Sequence, residues 1–305
     1  MTEIPDDLNL EKIEREPQEI TLGREILFNL QNNKMTLFGL LVIAALVLVA
    51  IFAPLIVPYD KAIGFYPEEV LKSPSIEHIM GTDDLGRDIF ARVIWGSRVS
   101  VEVGILAVIF GLAIGLFMGA LAGYKGGLAD VLVMRMADIF FAFPYILGAI
   151  AVMTILGPGL RNIIIAIGIL EWAYIARLFR SSVLATKVND YVEAARAIGA
   201  SDSRILIKHI LPNAIAPVIV YSAMSVGTAI ITEAALSFLG IGVQPPRPSW
   251  GSMLADSQVF MSRAPWMMYF PGLAILITVL GFVLFADGLR DVLDPKLRGM
   301  SEHVT

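Results

Sequence analysis

Runs of about twenty apolar residues without a charge recur along this chain. A backbone in hydrocarbon must satisfy its own hydrogen bonds, and a helix of roughly 20 residues is what crosses about 30 Å of it. Leu37 to Val57 is the cleanest run, with fifteen of its 21 residues Leu, Ile, Val or Phe. Each such residue favours insertion by about 0.3 to 0.6 kcal/mol, a sum that outweighs Pro54 near the exit. Val103 to Ala122 and Ile139 to Leu160 follow, and Ile210 to Thr232 and Trp266 to Ala286 lie within the last two spans. A weaker stretch, Asn162 to Leu170, runs into Glu171 and Arg177 and reads as a helix that leaves the membrane as a continuous cytoplasmic extension. The expected fold is all-α: a polytopic membrane protein of about six transmembrane helices.

Composition bears on the domain count. A length of 305 residues would suggest two soluble domains, but 56% of the residues are hydrophobic and only 17% charged, against about 25% charged in soluble domains. One continuous bundle with short appendages is the better expectation. A net charge of −5 with no Lys/Arg run argues against nucleic acid as a partner, and the absence of cysteine excludes disulfides and thiolate chemistry. Before the first apolar run stand eight acids and four Lys/Arg, the reverse of a signal peptide's basic start, so the first span is expected to be retained.

Lys and Arg favour the cytoplasmic side. With the N-terminus inside, the inner segments hold 15 of them and the outer segments 8; residues 177 to 212 alone hold six. Both termini are therefore expected in the cytoplasm of a multi-pass inner-membrane protein. The chain divides into a cytoplasmic tail (1 to 36), the first transmembrane helix with an outer loop (37 to 98), a core (99 to 290) and a cytoplasmic tail (291 to 305). Residues 20 to 34 suit an interfacial elbow helix against lipid or a merely solvated tail. Residues 58 to 98 carry three prolines and several acids and read as loop.

One short string occurs twice, as Glu193-Ala194-Ala195 and Glu233-Ala234-Ala235. The first copy lies in the basic stretch between spans four and five, residues 190 to 212. The local order predicts a helix, a cap at Gly199, and a second short helix begun at Ser201 or Asp202 and ended before Pro212. The product is a helical hairpin projecting into the cytoplasm.

Glu-Ala-Ala, then Gly after three residues, then Leu-Pro twelve residues after the Gly resembles the cytoplasmic loop of that name in ABC-importer permeases. His209 stands where the general pattern has an apolar residue, and His209-Ile210-Leu211-Pro212-Asn213 is similar to the dipeptide and oligopeptide branch. Gly81-Thr82-Asp83-Asp84-Leu85-Gly86-Arg87-Asp88, Glu233 to Gly240, Pro248-Ser249-Trp250-Gly251 and Asp287-Gly288-Leu289-Arg290-Asp291 extend the resemblance over residues 22 to 298. It is closest in kind to the second, C-type permease of peptide importers.

The resemblance implies a homologous second permease, two ATPase subunits that carry the ATP and Mg, and an extracytoplasmic solute-binding protein. It makes Glu193, Ala194, Ala195, Gly199, Ala200, Ser201 and Pro212 the ATPase-coupling residues. Small side chains let a partner approach, glycine permits the turn, and Glu193 could pair with a basic ATPase residue. Di- or oligopeptide import is the expected function, with nickel or oligosaccharide import as the alternative within the architecture.

Other classes fit less well. No segment reads as a phosphate loop, so the chain is expected to bind no nucleotide itself and to be no enzyme. His78, His209 and His303 lack spaced partners for a metal. An ion-coupled secondary transporter would need intramembrane charge without a docking hairpin. Ionisable residues in spans cost about 2.5 to 3.5 kcal/mol at the centre and tend to face a cavity or a partner. Asp138 suits an ion pair with Arg135 or a contact on the substrate path or with the second permease. Glu171 suits the substrate path, the second permease or a buried hydrogen bond, and Glu233 suits Thr232, Ser237 or the second permease. Glu102 sits near a span end and can snorkel. Asp83, Asp84, Arg87 and Asp88 suit an outer ionic latch or a receptor contact. Gly111, Gly115, Gly119 and Gly123 form a ladder for close helix packing.

Overall fold

The computed structural model describes residues 33–293; the expected elbow helix at 20 to 34 lies almost wholly outside the described residues. Helix α1 is Lys34–Ile56. Asn33 caps it, its side chain accepting from the amides of Met35 and Thr36. After a five-residue helix α2 (Tyr59–Ile63) and an irregular segment, α3 runs over Ile89–Ala120 and continues through a π-turn at Leu121–Lys125. Helix α4 is Gly127–Phe141, α5 Tyr145–Leu156 and α6 Leu160–Thr186. The hairpin is built from α7 (Asp190–Ala197), α8 (Asp202–Ile205) and α9 (Leu211–Ala214). Helix α10 is Ala216–Phe238, α11 Trp250–Ser257 and α12 Trp266–Leu293. The described residues contain no strand.

Five helices are long and apolar enough to span a membrane, and a sixth crossing exists if α4 and α5 count as one. Here the structure corrects the sequence reading: Ile139 to Leu160 is no single helix. The chain bends by 93° between α4 and α5, where Pro144 removes an amide and biases Phe143 away from helical dihedrals. The weak fourth span does continue as one helix to Thr186. Two other boundaries move. Helix α3 starts at Ile89, so residues 89 to 98 are helical rather than loop; Asp88 caps it through the Ala91 amide, and Arg92 inside it is held by acids from elsewhere. Ile210 to Ala214 belongs to the hairpin, and the fifth span begins at Ala216 after a break at Ile215.

The most extensive helix pair is α3 with α6, and the glycine ladder accounts for it. A Cβ at Gly111 would lie 2.8 Å from the Glu171 Cβ, at Gly115 2.6 Å from the Ile175 Cβ, at Gly119 2.7 Å from the Ala176 carbonyl and at Gly123 2.9 Å from the Val183 Cβ. Any side chain there would force the helices apart, so the sequence sets their separation. Helices α1 and α12 approach in the same manner at Gly39 and Gly281. Leu41, Leu48, Ile51 and Leu55 of α1 remain exposed, which suits hydrocarbon and not water.

Candidate functional site

At one end of the bundle stands the 190–214 hairpin. Val192 and Ala195 of α7 are buried against Phe179, Val183, Ile205 and Ile210, while Glu193, Ala194, Arg196, Ala197 and Gly199 face outward. The turn is a complete glycine cap. Gly199 adopts φ +81°, its amide donates to the Arg196 carbonyl at 3.0 Å, and the Ala200 amide donates to the Ala195 carbonyl at 3.1 Å. Ser201 precedes α8 in extended conformation but makes no side-chain cap. The second arm differs from expectation. It does not end before Pro212 but passes through a π-turn at Leu206–Ile210 into α9, with Pro212 in the first turn, where its missing amide costs nothing.

A polar contact joins the hairpin to the bundle, and two others brace the helix ends at its root. The Tyr124 hydroxyl donates to Asp202 at 2.7 Å, Lys187 donates to the Gly123 carbonyl at 2.9 Å, and Arg180 grips Asp130 with two nitrogens. Ile198 stands 86% exposed at the tip, a residue that the sequence reading passed over. An isolated apolar side chain beside a glycine turn gives no periodic signal.

At the opposite end, Asp83 and Arg87 come together, Asp84 joins them only loosely, and the Asp88 side chain turns to other partners. Asp83 accepts from the amides of Leu85 and Arg87, from Arg87 Nε at 2.6 Å and from Arg92 at 3.0 Å. Asp256 of α11 lies 3.4 Å from Arg92 and 3.6 Å from Arg87. Asp84 reaches Arg87 at 3.6 Å, and its Oδ1 has no hydrogen bond. Asp88 also meets His78 at 3.0 Å, and the other ring nitrogen of His78 meets Glu69 at 3.0 Å. Burial opposes charge on this imidazole, but the two carboxylates prevail and raise its pKa above the ordinary value. Burial likewise raises Asp256, against the pull of Arg92 and Arg87. Arg92, Asp256 and His78 were missed because they lie far apart in sequence or inside an expected loop.

Between the two ends lie the intramembrane acids. Asp138 contacts Arg135 at 3.4 Å as expected, but its shorter contact is to Arg177 of α6 at 2.6 Å. Glu102 pairs with Arg247 at 2.5 Å. Glu233 is fully buried; Ser237 donates to its Oε1 at 2.7 Å, and its Oε2 has no partner among the described residues. Glu171, also buried, accepts from Ser225 at 2.5 Å and from Tyr145 at 3.3 Å. It borders a cavity of about 250 Å³ walled by Tyr145, Tyr174, Tyr221, Ser225 and Thr228. A second cavity of about 500 Å³ opens between α10 and α12 toward the hairpin end and shares Tyr221 and Met224 with the first. Among the described residues no group of His, Cys, Asp and Glu is arranged to hold a metal.

A bundle of spanning helices with a rigid polar hairpin at one end is the architecture of the membrane subunit of an ABC importer. A chain of the inward-facing methionine ABC transporter superposes with a TM-score of 0.54 at 20% identity, covering 67% of this chain and 96% of that one. A chain of an amino acid ABC transporter with histidines gives 0.53 at 17% identity, covering 66% and 94%. The chain belongs to the family of binding-protein-dependent transport system inner membrane components, whose model matches residues 111–299. Residues 21–74 match the N-terminal transmembrane domain of oligopeptide transport permease C. A dipeptide transport system permease protein of Alkalihalophilus pseudofirmus is 47% identical over 275 residues, 90% of each chain. A glutathione transport system permease protein of Escherichia coli is 46% identical over 292 residues, 96% of each chain. The chain is thus a permease of an ABC importer, a multi-pass inner-membrane transport subunit.

Proposed function

We propose that this permease imports di- or oligopeptides, paired with a homologous second permease, and that the 190–214 hairpin couples it to ATPase subunits that hold the ATP and Mg. The observation that carries the coupling is the hairpin's division of faces. Val192 and Ala195 anchor it inward, while Glu193, Ala194 and Ile198 are left outward beside a glycine turn that admits close approach. The hairpin end is then cytoplasmic, in line with the six Lys/Arg in 177 to 212. Both chain termini share that side, and the first-span and core division of the sequence reading follows.

The peptide assignment is supported by the two relatives, whose names specify a dipeptide and glutathione. On this reading the Asp83–Arg92–Asp256 network faces outward, where it locks the entrance segment to α11 and meets the solute-binding protein. The test is reconstitution with the ATPases, the second permease and the receptor. Glu193→Arg is expected to preserve permease assembly while lowering receptor-stimulated ATP hydrolysis and peptide uptake about tenfold or more, as for a severed charged contact. Uptake and hydrolysis at the unaltered level, or failure of the unaltered chain to bring down any ATPase, would defeat the assignment.

A further inference from the structure

Glu171 is a carboxylate near the middle of a membrane helix without a basic partner. Its buried oxygens accept only from hydroxyls, Ser225 at 2.5 Å and Tyr145 at 3.3 Å, and among the described residues no Lys, Arg or His pairs with it. Asp130, Asp138 and Glu102, by contrast, each have a basic partner, Arg180, Arg177 and Arg247 in turn. Glu233, fully buried, lines neither of the two cavities described above. An acid in a span is costly and is retained where it meets a cation or a cavity; Glu171 has the cavity.

The walls of that cavity specify what fits. Three tyrosine rings surround it, with Tyr174 and Tyr221 stacked at 6.3 Å and 16°. Ring faces attract ammonium groups, most strongly where water is scarce, and the hydroxyls of Ser225 and Thr228 can accept the ammonium protons that the carboxylate does not take. The stem of Glu171 lies over the gap that Gly111 leaves in α3, where an added Cβ would come within 2.8 Å of it. The larger cavity beyond Tyr221 and Met224 leaves room for the rest of a bound solute on the hairpin side.

We infer that the Glu171 carboxylate, with the rings of Tyr145, Tyr174 and Tyr221, is a transit site for the α-ammonium group of the transported peptide. The inference rests on the peptide reading above and deepens it. Peptides of different sequence share only their backbone and their ends, so a permease that takes many of them has the ammonium as a constant handle. The site holds that handle by one carboxylate among three tyrosine side chains, and leaves side chains to the open 500 Å³ cavity.

The test uses the permease–ATPase complex purified without receptor, so that the receptor's own selectivity plays no part. A dipeptide carrying a diazirine side chain is expected to label this chain on illumination, with the label displaced by a free-amine dipeptide and not by its N-acetylated form. Glu171→Gln is expected to lower labelling, and peptide uptake in the full reconstituted importer, about tenfold, with receptor-stimulated ATP hydrolysis held within about twofold. Tyr174→Leu, at a ring 41% exposed in the chain, is expected to lower labelling about threefold, while Tyr174→Phe retains it. Equal displacement by the N-acetylated dipeptide would overturn the site. So would unchanged labelling in Glu171→Gln, or a fall in hydrolysis equal to the fall in uptake, which would make Glu171 a contact to the second permease. If Glu171→Gln fails to assemble, the Tyr174 pair and the competition decide. Absence of peptide-dependent hydrolysis in the unaltered importer would instead remove the peptide reading itself.

Discussion

Glu193-Ala194-Ala195 and Glu233-Ala234-Ala235 are the same three letters, and both end in the same kind of glycine cap. Gly199 and Gly240 sit at φ +81° and +79°, and in each case the amide after the glycine reaches back to a helix carbonyl, Ala200 to Ala195 and Ile241 to Leu236, at 3.1 Å. Their surroundings are opposite. Glu193 and Ala194 are exposed on a hairpin. Glu233 is 0% exposed, and Ala234 is so closely covered by α11 that a Cβ on Gly251 would come within 2.1 Å of its carbonyl oxygen. Local sequence determines the helix and its stop; what lies beside the helix determines whether the glutamate is a contact offered to another molecule or a buried group of the bundle.

The sharpest way to break this comparison is to place arginine at both glutamates. Glu233→Arg buries a cation with no counter-charge and is expected to cost about 4 kcal/mol or more, seen as loss of folded permease in fluorescence-detected size exclusion. Glu193→Arg at the exposed copy is expected to stay within about 0.5 kcal/mol of the unaltered protein. Equal losses at the two positions would erase the distinction.

The caps predict the converse. Gly199→Ala and Gly240→Ala each force a side chain into a left-handed conformation, and neither Cβ meets an atom within 4 Å. Each is expected to cost about 1 to 2 kcal/mol, read from thermal midpoints in detergent, with the two shifts alike despite the different surroundings.

The smallest effect belongs to the end that holds Glu233. His78 between Asp88 and Glu69 has a folded pKa above its ordinary 6.5. Its bracing is therefore fully present below about pH 6.5 and is lost as pH rises through the elevated folded value. The gap in thermal midpoint between the unaltered chain and His78→Gln is expected to be widest near pH 6 and to close on the alkaline side. A gap that does not change over that range would show that the imidazole titrates without consequence for the fold.

How much of this was legible in the sequence follows from the range of each interaction. The spans, the Gly199 turn and the glycine ladder depend on composition and on spacings within one helix, and the residues announce them. Glu171 was legible as an anomaly, a charge in a span, but its tyrosine surround was not, because Tyr145, Tyr174 and Tyr221 come from three helices. The partners of Asp83 were half visible: Arg87 is four residues away, whereas Asp256 comes from α11. The bend at Pro144 carried a signal that apolarity overrode. Proline is tolerated in spans, as at Pro54 and Pro271 inside α1 and α12, so its presence alone does not mark a break.

The glycine ladder has a mechanical consequence. Where side chains separate two helices, rotamer changes can absorb small displacements, but α3 and α6 meet with nothing interposed at Gly111, Gly115, Gly119 and Gly123. Sliding one along the other would require a jump of about one helical turn, roughly 5.4 Å, to bring the next gap into register. Smaller thrusts must move the two helices together. Helix α6 carries Glu171 near its middle and ends at the root of the hairpin, so a push delivered to the hairpin arrives at the tyrosine cavity with little of its stroke lost on the way, as through a splined shaft.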